Sequence, residues 1–407
     1  MKALVVAGGV PQIELIRQLR DRGIETVLID GSPNPLAKPY PDKFIQVQIF
    51  DVEAVKRIAV EEKVDFLITV CADQVLLAVA QVSELLGLPC YIDYETAQNV
   101  SDKIRMKRIF SECGVPTTKY VQTDRFDPEA FRSLRYPLVV KPVDAYSSKG
   151  VRKAENEEEL RRYYAEAAEI SRSGGVIVEE FFRGEEISVD AFVSNGKAKV
   201  LAITNSDKLR YDDRFVIFRG RYPAEVSDAA RQTIEAIAQR IADGFGLVNS
   251  PLLVQLLIDG DRVSVLEFCA RTGGNMKWLL IKYSCGVDVI AATIDITLGK
   301  QPDLTVKDTG YPVVVNDFIY CKPGVFDHFE GFDELVERGL IHEFHPVRMK
   351  GTVMRGATSS SDRVAGMNIV ARSREEFNRI QREIVDSVRV VDDHGNDIMR
   401  HDLFPDL

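Results

Sequence analysis

The chain has 407 residues, 45% hydrophobic and 28% charged, with a formal net charge of −10 at pH 7. That length predicts two or three domains, and the acidic balance excludes the basic footprint that nucleic-acid binding requires. No apolar run reaches the roughly 18 residues that span a membrane, and the six cysteines lack CxxC or metal-ligand spacing, so a cytoplasmic protein with reduced thiols and no membrane partner is expected.

In chain order, MKALVVAGG reads as a first β-strand, Ala3–Ala7, and not as a signal peptide. An amphipathic helix follows from Pro11 to about Arg22, with Ile13, Ile16 and Leu19 on one side. Glu25–Ile29 and Val64–Val70 read as strands, and Val75–Leu86 as a helix ended by Gly87. This βαβ alternation predicts a parallel sheet with helices on both faces. The segment AGGVPQ departs from GxGxxG, with Pro11 where the third glycine would stand, so a scaffold lining one side of a cleft outweighs a dinucleotide site.

Ser101-Asp102-Lys103 reads as a capped helix start, and Cys113-Gly114-Val115-Pro116 as its end. Pro137–Pro142 is a buried strand finishing on Lys141, a costly place for a cation unless an anion meets it. The loop Asp144–Gly150 is rich in small residues whose hydroxyls and backbone N–H groups suit phosphate, although a plain turn is the commoner use of such a loop. Val176–Val178 runs into EEFFRGEE and then the strand Ile187–Val193, offering carboxylates for ribose hydroxyls beside an apolar slot. In ITNSDKLRYDDRFVIFRGRYPAE, Lys208 is placed to reach phosphate and Arg219 or Arg221 a substrate carboxylate, with a solvated basic turn as an equal reading. Asp228–Gly244 reads as an amphipathic helix without chemistry.

Leu253–Ile258 and Val263–Phe268 read as a hairpin turning at Asp259-Gly260-Asp261. Gln255 and Glu267 interrupt its apolar strands, and Arg271 precedes Gly273-Gly274-Asn275. A carboxylate, an amide oxygen and an arginine from one hairpin suit magnesium-bound phosphate, since magnesium takes one or two protein carboxylates plus waters and phosphate oxygens. A helix Val287–Leu298 and the breaker Gly299 follow. Beyond Tyr311 the pattern turns β-rich, with strands at Pro312–Tyr320 and Arg363–Ala371 and helices at Glu330–Arg338 and Arg374–Val388. IHEFH, with His342 and His345, is not HExxH and reads as a surface strand. The segment Asp392–Asp397 reads as a turn before a final strand.

The order DK at 102–103, VVKP at 139–142, a Ser/Gly loop ending at Gly150, VEEFFRGEE at 178–186 and VLEFCAR at 265–271 resembles the ATP-grasp superfamily, most of all its carboxylate–amine ligase branch. The resemblance runs from Met1 to about residue 305. It implies an α/β and α+β multidomain fold: an N-terminal parallel α/β domain (1–100), a two-lobed ATP-grasp core (101–305, with a small lid lobe roughly 113–186) and a β-rich C-terminal lobe (306–407). It implies ATP and Mg2+ as cofactors, with Mn2+ an alternative, and small-molecule carboxylate and amine substrates. Carried over, Lys103 and Lys141 resemble the cations on the nucleotide phosphates, and Ser147, Ser148 and Gly150 fall in the phosphate-covering loop. Glu179, with its neighbour Glu180 and the backbone of Phe182, resembles the adenine contact, and Glu186 the ribose-binding glutamate. Lys208 joins the nucleotide set, Gln255 and Glu267 match the metal ligands, and Arg271 matches the arginine on the acyl-phosphate, making Arg271 and Lys141 the expected catalytic pair. One departure stands out: the family's Glu-x-Asn is Glu267-Phe268-Cys269 here, and a thiol is a poor ligand for a hard cation. The expected activity is ATP-dependent amide formation through an acyl-phosphate with an amino acid as one substrate. The alternatives are bicarbonate activation of the carboxylase or carbamoyl-phosphate type, or a silenced ATP-binding protein. A homodimer is the prior for an oligomer.

Overall fold

The computed structural model describes residues 1–145, 149–209, 215–274 and 276–404. The N-terminal sheet is parallel, in the order Lys43–Gln46, Glu25–Asp30, Lys2–Val6, Phe66–Ile68. Its inner strands are apolar throughout because helices cover both faces; Leu4, Val5 and Leu28 are fully buried. The first strand ends one residue earlier than expected because Ala7 turns into the left-handed region, φ 75°. The helices Val10–Asp21 and Asp73–Leu86 lie where predicted, the latter closed by Gly87 at φ 64°. The strand Lys43–Gln46 and the helix Val52–Glu61 escaped the sequence reading.

A second, four-stranded antiparallel sheet holds Tyr120–Thr123, Val176–Glu180, Leu138–Pro142 and Arg152–Ala154 in that order. The helix Glu157–Ile170 buries Leu160, Tyr164 and Ala167 against it.

The largest sheet has eight antiparallel strands: Arg262–Cys269, Ser250–Asp259, Glu185–Ser194, Lys197–Lys208, Ile217–Tyr222, Val313–Ile319, Ala365–Ala371 and Glu343–Pro346. It therefore runs without a break from the hairpin into the C-terminal third of the chain. On one face the helix Asp228–Gly244 packs Ile234, Ile237 and Ile241 against Val189, Val254 and Leu256. On the other, Leu279 and Ile290 share a core with Phe192, Leu201 and the N-terminal sheet. That second layer is two helices, Lys277–Cys285 and Val289–Thr297, where one was expected. Gly286 at φ 76° ends the first, and the Asp288 carboxylate caps the second.

The C-terminal part adds a three-stranded sheet of Val353–Met354, Gly324–Glu330 and Arg389–Asp392 beside the helices Phe332–Glu337 and Arg374–Ser387. The Asp392 turn follows the last strand and does not precede one. Asp392 Oδ1 accepts from the backbone of His394 and Asn396, closing the turn on itself, and only isolated bridges follow. The segment IHEFH forms the edge strand Glu343–Pro346, and among the described residues no cluster of His, Cys, Asp and Glu is placed to hold a metal.

Candidate active site

The site lies where the small sheet faces the hairpin end of the large one. Asp102 caps the helix Lys103–Cys113 by accepting from the backbone of Ile104 (2.8 Å) and Arg105 (3.0 Å). This fixes Lys103 in the first turn, where Nζ donates to the Ala145 carbonyl (2.8 Å) and meets Glu267 Oε2 at 3.4 Å. Burial works against its charge, but Glu267 outweighs burial and raises its pKa. Lys107, one turn on and 2% exposed, pairs with Glu179 at 3.3 Å.

Glu179 is the centre of this cluster. Lys141 approaches its other oxygen at 3.1 Å and Thr118 donates to the same oxygen at 2.9 Å. Burial alone would push the carboxyl up, but the two lysines reverse that and hold it at about 2. The carboxylate expected at the adenine edge is thus engaged by Lys107, Lys141 and Thr118, which makes it the anchor of two lysines. Glu179 lines the adjoining cavity together with Glu180, Phe182 and Gly184. Gly184 is needed there, since a Cβ would stand 2.5 Å from the Ile258 carbonyl.

That cavity, about 340 Å³, is also lined by Lys103, Lys141, Glu186, Lys208, Gln255 and Glu267. Glu186 pairs with Lys208 at 2.6 Å and accepts from Gln255 Nε2 at 3.3 Å. Gln255 and Glu267 stand directly opposite each other in the hairpin register, with a bulge immediately after Gln255. An amide oxygen and a carboxylate on facing strands are hard donors, few in number, and fit magnesium sharing its shell with phosphate and water. Cys269 does not extend this set. Burial raises its thiol well above the ordinary range and its S–H is bonded to Asp73, so it stays neutral.

A second cavity of about 330 Å³ shares Lys103, Ala145, Gln255 and Glu267 with the first and adds Asp73, Cys269, Arg271 and Lys277. Arg271 forms a two-pronged pair with Asp73, the first residue of the helix Asp73–Leu86, and donates to the Thr272 carbonyl at 2.8 Å. Burial opposes its charge, Asp73 outweighs burial, and the guanidinium stays charged. Gly150 sits at φ 74°, where a Cβ would press on Pro142 and Ile170 at 2.8 Å. Ser147, Ser148 and Asn275 lie outside the described residues.

Two expectations need correction. Arg219, 1% exposed, is held by both oxygens of Asp317 (2.5 and 2.8 Å), and Arg221 by both of Asp207 (2.6 and 3.1 Å). Antiparallel pairing with Val313–Ile319 places Arg219 opposite Asp317 inside the sheet, away from both cavities. Sequence reading also missed Asp73 and Lys107. The i,i+4 spacing of Lys107 from Lys103 was a usable signal; Asp73 gave none, being 198 residues from its partner.

Residues 134–278 match the ATP-grasp domain family. Over this stretch the chain is similar to ATP-grasp domains. The carbamoyl-phosphate synthase of Methanobrevibacter smithii is 22% identical over 297 residues, 71% of this chain and 78% of that protein. The carbamoyl phosphate synthase large chain of Pseudomonas putida is 24% identical over 338 residues, 78% of this chain but 30% of the relative. Against other, larger relatives the chain spans as little as 14% of their length. Two solved structures share the fold. The L-amino acid ligase from Bacillus licheniformis superposes with a TM-score of 0.79 at 19% identity, covering 96% of this chain and 98% of that one. The biotin carboxylase domain dimer of Hydrogenobacter thermophilus 2-oxoglutarate carboxylase, solved with MgADP, ADP and bicarbonate, gives 0.78 at 17% identity, covering 99% and 92%. The matched residues run from the small antiparallel sheet through the hairpin of the large one, and both contribute to the walls of the two cavities.

Proposed function

We propose that this ATP-grasp enzyme activates a substrate carboxylate with ATP and joins it to an amine, with an amino acid as one of the two substrates. The observation that carries the reading is the Gln255–Glu267 pair at the wall shared by two cavities, one rich in lysine and carboxylate, the other holding Arg271. ATP is assigned to the first cavity, its triphosphate against Lys103 and Lys141, its ribose at Glu186 and its base between Glu180, Phe182 and the apolar wall. Magnesium, held by Glu267 and Gln255, would neutralise phosphate charge and align the terminal phosphoryl group.

A carboxylate oxygen attacks the terminal phosphorus, the bond to the bridging oxygen breaks, and ADP leaves with that electron pair. The acyl-phosphate formed is attacked at its carbonyl carbon by the amine, and the tetrahedral intermediate expels phosphate as the nitrogen loses a proton. The side chains position and neutralise; none is required as a nucleophile. Arg271, oriented by Asp73, stabilises the transferring phosphoryl group and the oxyanion. Closure of the small sheet over the nucleotide would keep water from the acyl-phosphate. The likeness to an L-amino acid ligase favours the amino-acid substrate; the carbamoyl-phosphate synthase relatives favour bicarbonate as the second reading.

The test is phosphate release from Mg·ATP with amino acids and small carboxylates, singly and in pairs, with Glu267→Ala as control. Turnover that needs two substrates and is lost in the control supports the ligase; turnover with bicarbonate alone supports the second reading. ATP binding with no release from any mixture supports the silenced alternative.

A further inference from the structure

Behind the substrate cavity lies a third, of about 330 Å³, with a mostly apolar wall that includes Leu36, Met276, Phe318, Val347 and Ala365. It meets the substrate cavity at Phe318 and Arg363, which line both. Arg363 is 5% exposed, with its guanidinium 3.6 Å from the centre of the Phe318 ring. Its hydrogen-bond partners among the described residues are neutral: it donates to the Tyr320 hydroxyl at 3.1 Å and the Ile217 carbonyl at 3.3 Å. Among the described residues no carboxylate forms an ion pair with it. A buried guanidinium without a counter-charge is costly, and a ligand anion at the junction would offset that cost. At the far side, Gly9, Val10 and Gln12 bring the start of the helix Val10–Asp21 to the chamber. Its first turn carries no acidic residue and Gly9 provides no side-chain cap, so this end too repels cations.

We infer that Arg363 and the chamber behind it form the subsite for a substrate carboxylate bearing a large apolar side chain: the carboxylate lies on Arg363 in the shared mouth, and the side chain fills the chamber. The inference rests on the ligase reading and names its substrate class. Leucine- and phenylalanine-sized side chains are accepted. Glycine leaves the chamber empty, and a lysine side chain of similar length meets Arg363 and the helix start.

The test compares wild type, Val347→Phe and Arg363→Gln with L-leucine, L-phenylalanine, glycine and L-lysine, by phosphate release from Mg·ATP and by calorimetric binding. Leucine and phenylalanine should bind more tightly than glycine or lysine. Val347→Phe, which narrows the chamber from a half-buried wall position, should raise the phenylalanine KM by roughly tenfold or more and leave the ATP KM alone. Arg363→Gln should weaken every acid in the panel; if it fails to fold, Val347→Phe carries the test. Equal response to all four amino acids, or an unchanged preference in Val347→Phe, overturns the inference while the ligase stands. Binding of leucine and phenylalanine that Val347→Phe abolishes, without phosphate release even when each is paired with a panel of amines, upholds the subsite and removes the ligase reading. Absence of binding by either at millimolar concentration overturns the subsite.

Discussion

Glu179 shows how a single carboxylate organises the nucleotide side of the site. Its pKa is depressed from 4.5 to about 2, so its contribution to stability is present above pH 4.5 and is lost as the pH falls toward 2. Glu179→Gln would leave Lys107 and Lys141 without their shared counter-charge, and it should cost about 3–5 kcal/mol in urea unfolding at neutral pH. The same variant should flatten the acid limb of the stability curve over that range; an unchanged acid limb would contradict the assignment. Asp73 is the corresponding residue on the substrate side. Asp73→Asn should lower kcat by about tenfold to a hundredfold with little change in the ATP KM, because Arg271 keeps its charge and loses its orientation. A rise in the ATP KM alone would place Asp73 elsewhere in the reaction. Lys141 was legible in the sequence because a lysine at the end of an apolar run demands an anion, and Lys103 through the resemblance of the DK pair at 102–103. The Glu179 cluster was not, because the small sheet's pairing brings Lys141 onto Glu179 across 38 residues.

At the scale of elements, the hairpin is what local sequence specified best. Alternating apolar residues and the Asp-Gly turn predict it, and Gly260 adopts φ 60° at that turn. Register then decides the chemistry, since a slip of one residue would send Gln255 and Glu267 to opposite faces. The arginines 219 and 221 show the converse. Their segment was expected either to reach a substrate carboxylate or to form a solvated basic turn, yet pairing with distant Val313–Ile319 and the neighbouring strand gives each an aspartate. The segment from Phe181 to Gly184 crosses the hairpin so closely that Gly184→Ala should push it off Ile258. This variant should cost about 1–3 kcal/mol in stability and raise the ATP KM, read from thermal melts and initial rates. A normal ATP KM in a destabilised variant would place the nucleotide away from this segment.

At the scale of the molecule, the site is assembled from three sheets: Lys141 from the small one, Glu267 from the large one, and Asp73 from a helix on the N-terminal one. The order of motifs made the superfamily legible, but the continuation of the large sheet into the C-terminal third depends on long-range pairing that local patterns do not encode. Binding of Mg·ADP should slow amide exchange in Leu138–Pro142 and Val176–Glu180, with the N-terminal parallel sheet unaffected. Protection confined to the N-terminal sheet would instead favour a nucleotide site there.

The most direct measurement follows the oxygen atoms of a turnover substrate whose carboxylate is labelled with heavy oxygen. Transfer of one labelled atom into inorganic phosphate, with unlabelled ADP as the other nucleotide product, is expected for an acyl-phosphate formed over Glu267 and Arg271. Label in AMP, or phosphate free of label during amide formation, would contradict it.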